Sequence, residues 1–117
     1  MQKEGAVQYM LLIYSNENRS ADGDEDVIKR YGAFTQEVRD GGKLVTADRL
    51  QPSNAATTVR IRNGETLVTD GPFAETKEQL GGYYVLECEN IDEALQYAAK
   101  IPAAEQGSIE VRPVWVM

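Results

Sequence analysis

Histidine is missing from this 117-residue sequence, and cysteine occurs once, as Cys88. The missing histidine excludes the Ser-His-Asp and Cys-His catalytic arrangements and removes the usual zinc ligand. A lone cysteine forms no internal disulfide, and the apolar residues before it favour a buried small hydrophobe over a nucleophile. From these absences we expect neither a metal nor a cofactor.

Basic charge and long apolar runs are also scarce. Nineteen acidic against twelve basic residues give a formal net charge of −7. Nucleic-acid partners need a basic face, so we expect none. No apolar run approaches the length of about eighteen residues that spans a membrane, and the N-terminus lacks a signal-peptide pattern. We expect a cytoplasmic protein without membrane contact, built as one domain over residues 1–117, since 13.0 kDa leaves no room for a second.

The hydrophobic pattern predicts two helices. The first covers residues 25–40, with Val27, Tyr31, Phe34 and Val38 on one stripe, and ends at Gly41-Gly42. Its start is marked by an acidic cluster of Asp22, Asp24, Glu25 and Asp26. The second opens at a capping box of Asn90 and Glu93, and ends before Pro102. Its predicted buried stripe consists of Ile91, Leu95, Ala98 and Ile101.

Strands are predicted between and around these helices. The segment 7–14 is apolar on both faces and reads as a central strand, while 57–62 alternates as a half-buried one. Asn63-Gly64 predicts a hairpin that returns through 66–69. Pro113 favours an edge position for the last strand. The predicted strands are 7–14, 43–50, 57–62, 66–69, 83–88 and 109–116.

The stretch 70–82 joins the hairpin to the next strand. Gly71 and Pro72 force a bend there, and Asp70 suits its start because a short carboxylate accepts bonds from the amides just ahead of it. Residues 74–80 are predicted to form one or two helical turns that stop at Gly81-Gly82.

This order of elements predicts an α+β fold: a ferredoxin-like subunit whose two helices cover one face of an antiparallel sheet. The first strand is apolar on its other face as well, which leaves a large surface to cover. Pairing of the open sheet faces of two copies is the simplest way to bury it, so we expect a homodimer.

The chain resembles YCII-related proteins of the DGPF group. The match extends over nearly the whole chain, and its most specific part is the string DGPFAETKE. The residues that carry it are 9–13, 50–52, 57–60, 70–78, 81–84, 92–94 and 101–103. The resemblance implies a bacterial protein, a dimeric α/β barrel of two ferredoxin-like subunits, and an association with extracytoplasmic-function sigma factors.

Some members of the wider superfamily are small enzymes that use a histidine with an aspartate to transfer protons. Asp70 lies where we would place the aspartate, but the histidine has no counterpart. We therefore consider Asp70 as base or substrate anchor, with Glu75 as a neighbouring carboxylate. Candidate ligand-binding residues are Tyr9, Tyr14, Arg60, Arg62, Pro72, Phe73 and Tyr83. Purely structural alternatives exist for these residues. In these alternatives Asp70 only forms the turn, and Glu75 and the two arginines are only solvated surface residues. The tyrosines would then belong to the core or to an interface.

Three functions follow from this sequence. A cofactor-free enzyme acting on a small metabolite, or a module that only binds one, would have a pocket beside Asp70. An accessory domain would instead fill that cleft with its own side chains and offer its open surface to a protein, with a sigma factor as the partner that the resemblance implies.

Overall fold

The computed structural model describes residues 6–19 and 24–116, which form two helices, six strands and three short 3₁₀ turns. Asp22, the first residue of the predicted acidic cluster, lies outside the described residues. The helices are α1 (Glu25–Asp40) and α2 (Ile91–Ala98). The strands are β1 (Val7–Ser15), β2 (Leu44–Arg49), β3 (Thr57–Arg62), β4 (Glu65–Asp70), β5 (Gln79–Cys88) and β6 (Ser108–Pro113).

Helix α1 has the predicted bounds because both of its ends are capped. Asp24 is the N-cap, and its side chain accepts a hydrogen bond from the Asp26 amide at 2.8 Å. At the other end Gly42 adopts φ +72°, a conformation that glycine reaches without a steric penalty. Phe34 and Val38 of the predicted stripe are buried.

The main sheet is antiparallel with the strand order β2-β5-β1-β6. Strand β1 is internal, and β6 lies at an edge, with Pro113 opposite Tyr9 at its end. Both positions were predicted from the sequence. Strand β6 stops at Pro113, three residues before the predicted end at residue 116.

Both helices pack on the same face of this sheet. Because side chains alternate along a strand, Tyr9, Leu11 and Ile13 of β1 share a face, and these three belong to the core with residues of both helices. Phe34 of α1 meets Tyr84 of β5 edge to face, with ring centroids 5.0 Å apart. The chain is therefore an α+β protein with its core between two helices and one sheet face.

The opposite face, which we call the open face, carries Met10, Leu12 and Tyr14 of β1 beside Tyr83 and Val85 of β5. Neither helix contacts it. The aliphatic and aromatic side chains in its centre are half-buried, except for Val85, which is buried. The sequence prediction that β1 is apolar on both faces agrees with this arrangement.

The Asn63-Gly64 hairpin forms a separate two-stranded sheet of β3 and β4, which we call the arm. Asn63 and Gly64 have φ values of 52° and 79°, as a two-residue turn of type I′ requires. The prediction that 57–62 is half-buried is wrong: Val59 is 60% and Ile61 65% exposed. The segment is a strand with side chains alternating between two faces, as predicted. However, the arm pairs only with itself and presents both of its faces to solvent.

The predicted helical turns at 74–80 are also wrong. The segment 71–78 consists of bends, and β5 begins at Gln79, so Gly81 and Gly82 lie inside a strand instead of stopping a helix. A one-turn helix is marginal by itself, whereas β5 pairs with two neighbours. Gly82 is required by that pairing, because a Cβ there would lie 2.8 Å from the Asp48 carbonyl oxygen.

Helix α2 confirms half of the predicted stripe: Ala98 and Ile101 are buried, whereas Ile91 and Leu95 are not. Ala94 and Ala98 face the core with Ile101, which follows the helix, while Ile91 and Leu95 are exposed. The small alanines let the helix approach the sheet closely. The N-cap is as predicted, since Asn90 accepts from the Glu93 amide at 3.0 Å; the Glu93 carboxylate accepts from the Glu89 amide at 3.1 Å.

Candidate functional site

The bend after Asp70 exists and is held by two hydrogen bonds. Asp70 ends β4 opposite Thr57, and Gly71 follows with φ +96°. The Gly71 amide donates to the Ala56 carbonyl at 2.7 Å, and the Thr58 hydroxyl donates to the Gly71 carbonyl at 2.8 Å. These bonds fix the start of the 71–78 segment against the base of the arm.

A cavity of about 680 Å³, which we call the loop cavity, lies between this segment and the 50–56 loop. Tyr14 and Leu80 are paired on the open face and form its floor. The structure thus brings together three of the predicted ligand-binding residues, Tyr14, Pro72 and Phe73. The other lining residues are 50–53, Ala55, Ala56, Thr58, Ala74, Thr76, Glu78 and Gln79.

The hydroxyl of Tyr14 is engaged outside the loop cavity. It donates to Glu110 Oε1 at 3.3 Å, and burial, together with the charge of Glu110, raises the pKa of Tyr14. The phenol is therefore protonated at neutral pH. Glu110 stays ionised, because its hydrogen bond with Arg112 lowers the pKa of its carboxyl group.

Other polar groups around the loop cavity also have partners within the chain. Glu78 accepts from the Ser108 hydroxyl at 2.8 Å, and Ser53 donates to Glu17 through its amide and its hydroxyl. The wall that remains for a ligand is mainly apolar. Such a lining is suited to binding an apolar ligand and offers few groups that could transfer a proton.

Neither Asp70 nor Glu75 is among the residues that line the loop cavity. Both are exposed, and within residues 6–19 and 24–116 no hydrogen bond or ion pair reaches the Asp70 carboxylate. Asp70 therefore acts in this structure through its backbone, at the point where β4 enters the bend. The catalytic role of Asp70 and Glu75 stays a prediction.

The remaining candidates are distributed over three parts of the molecule. Arg60 extends from the arm to the Phe73 carbonyl at 3.3 Å, which places it beside the loop cavity. Arg62 bonds its neighbour's carbonyl at the arm's tip. Tyr9 is buried in the core, and the Tyr83 hydroxyl donates to Asp48 at 2.7 Å, which raises the Tyr83 pKa.

A second cavity, of about 490 Å³, lies on the other side of the sheet, between α1 and strands β2 and β5. We call it the helix cavity. Its residues Ile28, Thr35, Arg39 and Ala47 were not predicted as site residues. A sequence signal did exist: Ile28, Thr35 and Arg39 recur at helical spacing with Tyr31, which belongs to the predicted core stripe.

Among residues 6–19 and 24–116, no three His, Cys, Asp or Glu side chains are grouped so that they could hold a metal ion. Neither α1 nor α2 is long and apolar enough to cross a membrane.

Comparison with known proteins gives one family. The model of the YCII-related domain matches residues 7–117. The chain belongs to the YCII-related family. A relative of similar length, the uncharacterized protein R00369 of Rhizobium meliloti (strain 1021), is 44% identical over 112 residues, which cover 91% of this chain and 90% of that protein. The family match over residues 7–117 includes all of the segments that form the loop cavity.

Proposed function

We propose that the chain binds a small, mainly apolar metabolite in the loop cavity. The observation that carries the proposal is the cavity itself, whose volume of about 680 Å³ falls in the range of small-molecule sites. Three separate segments of the chain meet there, and Phe73 is 77% exposed at its border. An aromatic ring left in water beside an apolar cavity gains contacts when a ligand enters.

Binding without conversion is the function that the geometry favours. Asp70 and Glu75 do not line the loop cavity, and Tyr14 is committed to Glu110. A cofactor-free reaction would need Asp70 to turn inward on ligand binding. Conversion of the bound metabolite is therefore the second form of the proposal. The Asp70→Asn variant in the ligand screen distinguishes it from binding alone.

We also propose that two copies pair through their open faces. Such a pair would form a dimeric α/β barrel of two ferredoxin-like subunits. The strand order β2-β5-β1-β6, with the arm set aside, supports this proposal. Three observations support pairing: both helices cover one face only, the loop cavity opens on the other face, and the arm exposes Val59 and Ile61. The radius of gyration of 16.2 Å exceeds the roughly 13 Å of a compact 100-residue domain.

Membership of the DGPF group and a bacterial origin also belong to this proposal, and they rest on the resemblance at residues 70–78. The proposed cytoplasmic location rests on the sequence pattern, which predicts neither a signal peptide nor a membrane span. The alternative function is an accessory domain that binds a protein connected with an extracytoplasmic-function sigma factor. The exposed apolar side chains of the arm are the observation that favours it.

A thermal-shift screen of small lactones, ketones and aromatic carbonyl compounds tests the binding function. A ligand at 100 times its Kd adds about 2.7 kcal/mol to the free energy of unfolding and raises the Tm by several degrees. Ala56→Leu fills the loop cavity and should abolish the shift, whereas Ala47→Leu, in the helix cavity, should leave it unchanged.

The Asp70→Asn variant separates binding from conversion. Equal Tm shifts in the wild type and this variant, without turnover of the hit compounds, support a binding protein. Turnover that is lost in Asp70→Asn establishes an enzyme. If no compound shifts the wild-type Tm, or if the shift survives Ala56→Leu, the loop cavity is not the ligand site.

A further inference from the structure

We infer that the helix cavity is a second ligand site, and that its ligand is a flat aromatic molecule with one negative charge and one hydrogen-bond acceptor. This inference is independent of the loop cavity, which lies on the opposite face of the sheet. It rests on the shape of the cavity, on a pair of hydroxyl groups inside it and on the charges at its border.

The shape comes from small residues opposite one stripe of α1. Ala47 of β2 and Gly82 of β5 form the floor, and Tyr31 and Thr35 project from the helix above them. A larger side chain at Ala47 would close the space, and Gly82 adds no side chain to it. The result is a slot of about 490 Å³, within the range of small-molecule sites, between a helix and a sheet.

The walls favour a flat aromatic ligand. Tyr31 and Tyr84 line the slot together with Ile13 and Leu44, so a planar ring system would meet aromatic and aliphatic surface on both sides. Ile28, one turn before Tyr31, is exposed at the border of the slot. A ligand in the slot would cover part of this side chain.

The hydroxyl pair supplies one donor for a ligand. Thr35 Oγ1 and Tyr84 Oη lie 2.7 Å apart, and both residues line the slot. Two hydroxyl groups carry two hydrogens, and their mutual bond uses only one of them. The second hydrogen can be donated to a carbonyl, phenolic or ether oxygen of a bound molecule.

The charges at the border favour an anion. Arg39 of α1 and Arg49 of β2 both line the slot, although the chain as a whole carries a net charge of −7. Within the described ranges 6–19 and 24–116, no ion pair includes Arg39. Asp48 also borders the slot, but strand alternation points its carboxylate to the open face, where it accepts from Tyr83.

The slot adjoins the packing that holds α1 on the sheet. Ile13 and Tyr84 line the slot and also belong to the core, whereas Phe34 and Val38, which are buried on the adjacent stripe of the helix, do not line it. Ala47 is only partly buried, so a larger side chain at this position can fill the slot without replacing Phe34 or Val38.

Two fluorescent probes with the same ring system test the inference: 1-anilinonaphthalene-8-sulfonate, an anion, and N-phenyl-1-naphthylamine, which is neutral. We expect both to bind the wild-type protein, with the anion bound more tightly. Arg39→Gln should weaken binding of the anion about fivefold, because a charge-assisted contact is lost, and should change binding of the neutral probe less than about twofold. Thr35→Val keeps the size of the side chain but removes one hydroxyl of the pair, and it serves as a second variant.

Matched filling variants locate the site. Ala47→Leu should remove this binding, while Ala56→Leu fills the loop cavity and should leave it intact; near-ultraviolet circular dichroism confirms that each variant is folded. Failure of both probes to bind overturns the inference, and so does binding that Ala56→Leu removes and Ala47→Leu does not. An equal effect of Arg39→Gln on both probes overturns the assignment of an anion. If Ala47→Leu does not fold, the inference is tested by the effect of Arg39→Gln on the anionic probe compared with its effect on the neutral probe.

Discussion

The hydroxyl of Thr58 donates to the carbonyl of Gly71 at 2.8 Å and so joins the base of the arm to the first residue of the bend. Both residues lie at the loop cavity or next to it. The shape of the proposed ligand site therefore depends on a hydrogen bond between two segments that are thirteen residues apart.

Thr58→Val removes this bond and keeps the size of the side chain. We expect a loss of about 0.5–1.5 kcal/mol in the free energy of unfolding, because a half-buried carbonyl loses its donor. Urea unfolding measures the loss. Thr57→Val, at an exposed position one residue earlier, is the control and should change stability little. Equal stabilities of the two variants would show that the bond contributes nothing.

Gly71 is required by its backbone conformation. A Cβ at this position would have open space around it, but φ is +96°, which L side chains rarely adopt. Gly71→Ala should destabilise the protein by about 1–2 kcal/mol. In contrast, Gly32→Ala in α1 meets no strain and should stabilise it by up to about 1 kcal/mol. In thermal unfolding we expect a lower Tm for Gly71→Ala and a higher Tm for Gly32→Ala. Tm shifts in the same direction would contradict this account.

A partly buried ion pair predicts how stability depends on pH. Lys43 Nζ lies 2.9 Å from Glu93 Oε1, with side-chain exposures of 22% and 26%. Their hydrogen bond lowers the pKa of Glu93 and raises that of Lys43. The stabilisation from Glu93 is complete above its unfolded pKa of about 4.3 and is lost as the pH falls through the lower folded value. That from Lys43 is complete below about pH 10.4 and is lost as the pH rises through the higher folded value.

Glu93→Gln tests this pair because the amide keeps the size and can still accept the Glu89 amide bond. We expect the variant to be less stable than the wild type by about 1 kcal/mol near pH 7, and the difference to shrink progressively as the pH falls below about 4.3. Glu37→Gln, which breaks the more exposed pair with Lys100, is the matched control and should have a smaller effect. A difference that persists unchanged at low pH would exclude the ion pair as its cause.

Cys88 should be unreactive in the folded protein. It is fully buried in the core, and burial, followed by the charge of Glu93, raises its pKa to about 11. The thiolate that attacks disulfide reagents is therefore scarce at pH 8 and shielded from solvent. Labelling with 5,5′-dithiobis(2-nitrobenzoic acid) should be slow in buffer and fast in denaturant. Fast labelling of the native protein would contradict the burial.

Local signals predicted the parts of the fold that local interactions stabilise. Asp24 and Gly42 mark the ends of α1, and Asn63-Gly64 marks the turn of the arm. Residues 74–82 were misread because their conformation depends on pairing with β1 and β2, which are distant in sequence. The burial of the arm was overestimated for the same reason: alternation shows which side chains share a face and leaves open what covers it.

The candidate sites, too, could be predicted only where neighbouring residues in the sequence determine them. The resemblance around residues 70–78 indicated Pro72 and Phe73, and the structure places them beside Tyr14 at the loop cavity. The helix cavity was missed because it depends on register: Ala47 lies opposite Tyr84, and Arg49 opposite Gly82. Small residues in two strands form a slot only when this register brings them together beneath one helix.

Pairing of two copies through the open faces is the central claim, because the loop cavity opens on the surface that such a pair would enclose. Sedimentation equilibrium at micromolar concentrations measures it most directly. We predict a mass of about twice the 13.0 kDa of the chain, and a shift toward 13.0 kDa for Leu12→Lys, which places a charge on the open face. A wild-type mass of 13.0 kDa at every concentration would contradict the account.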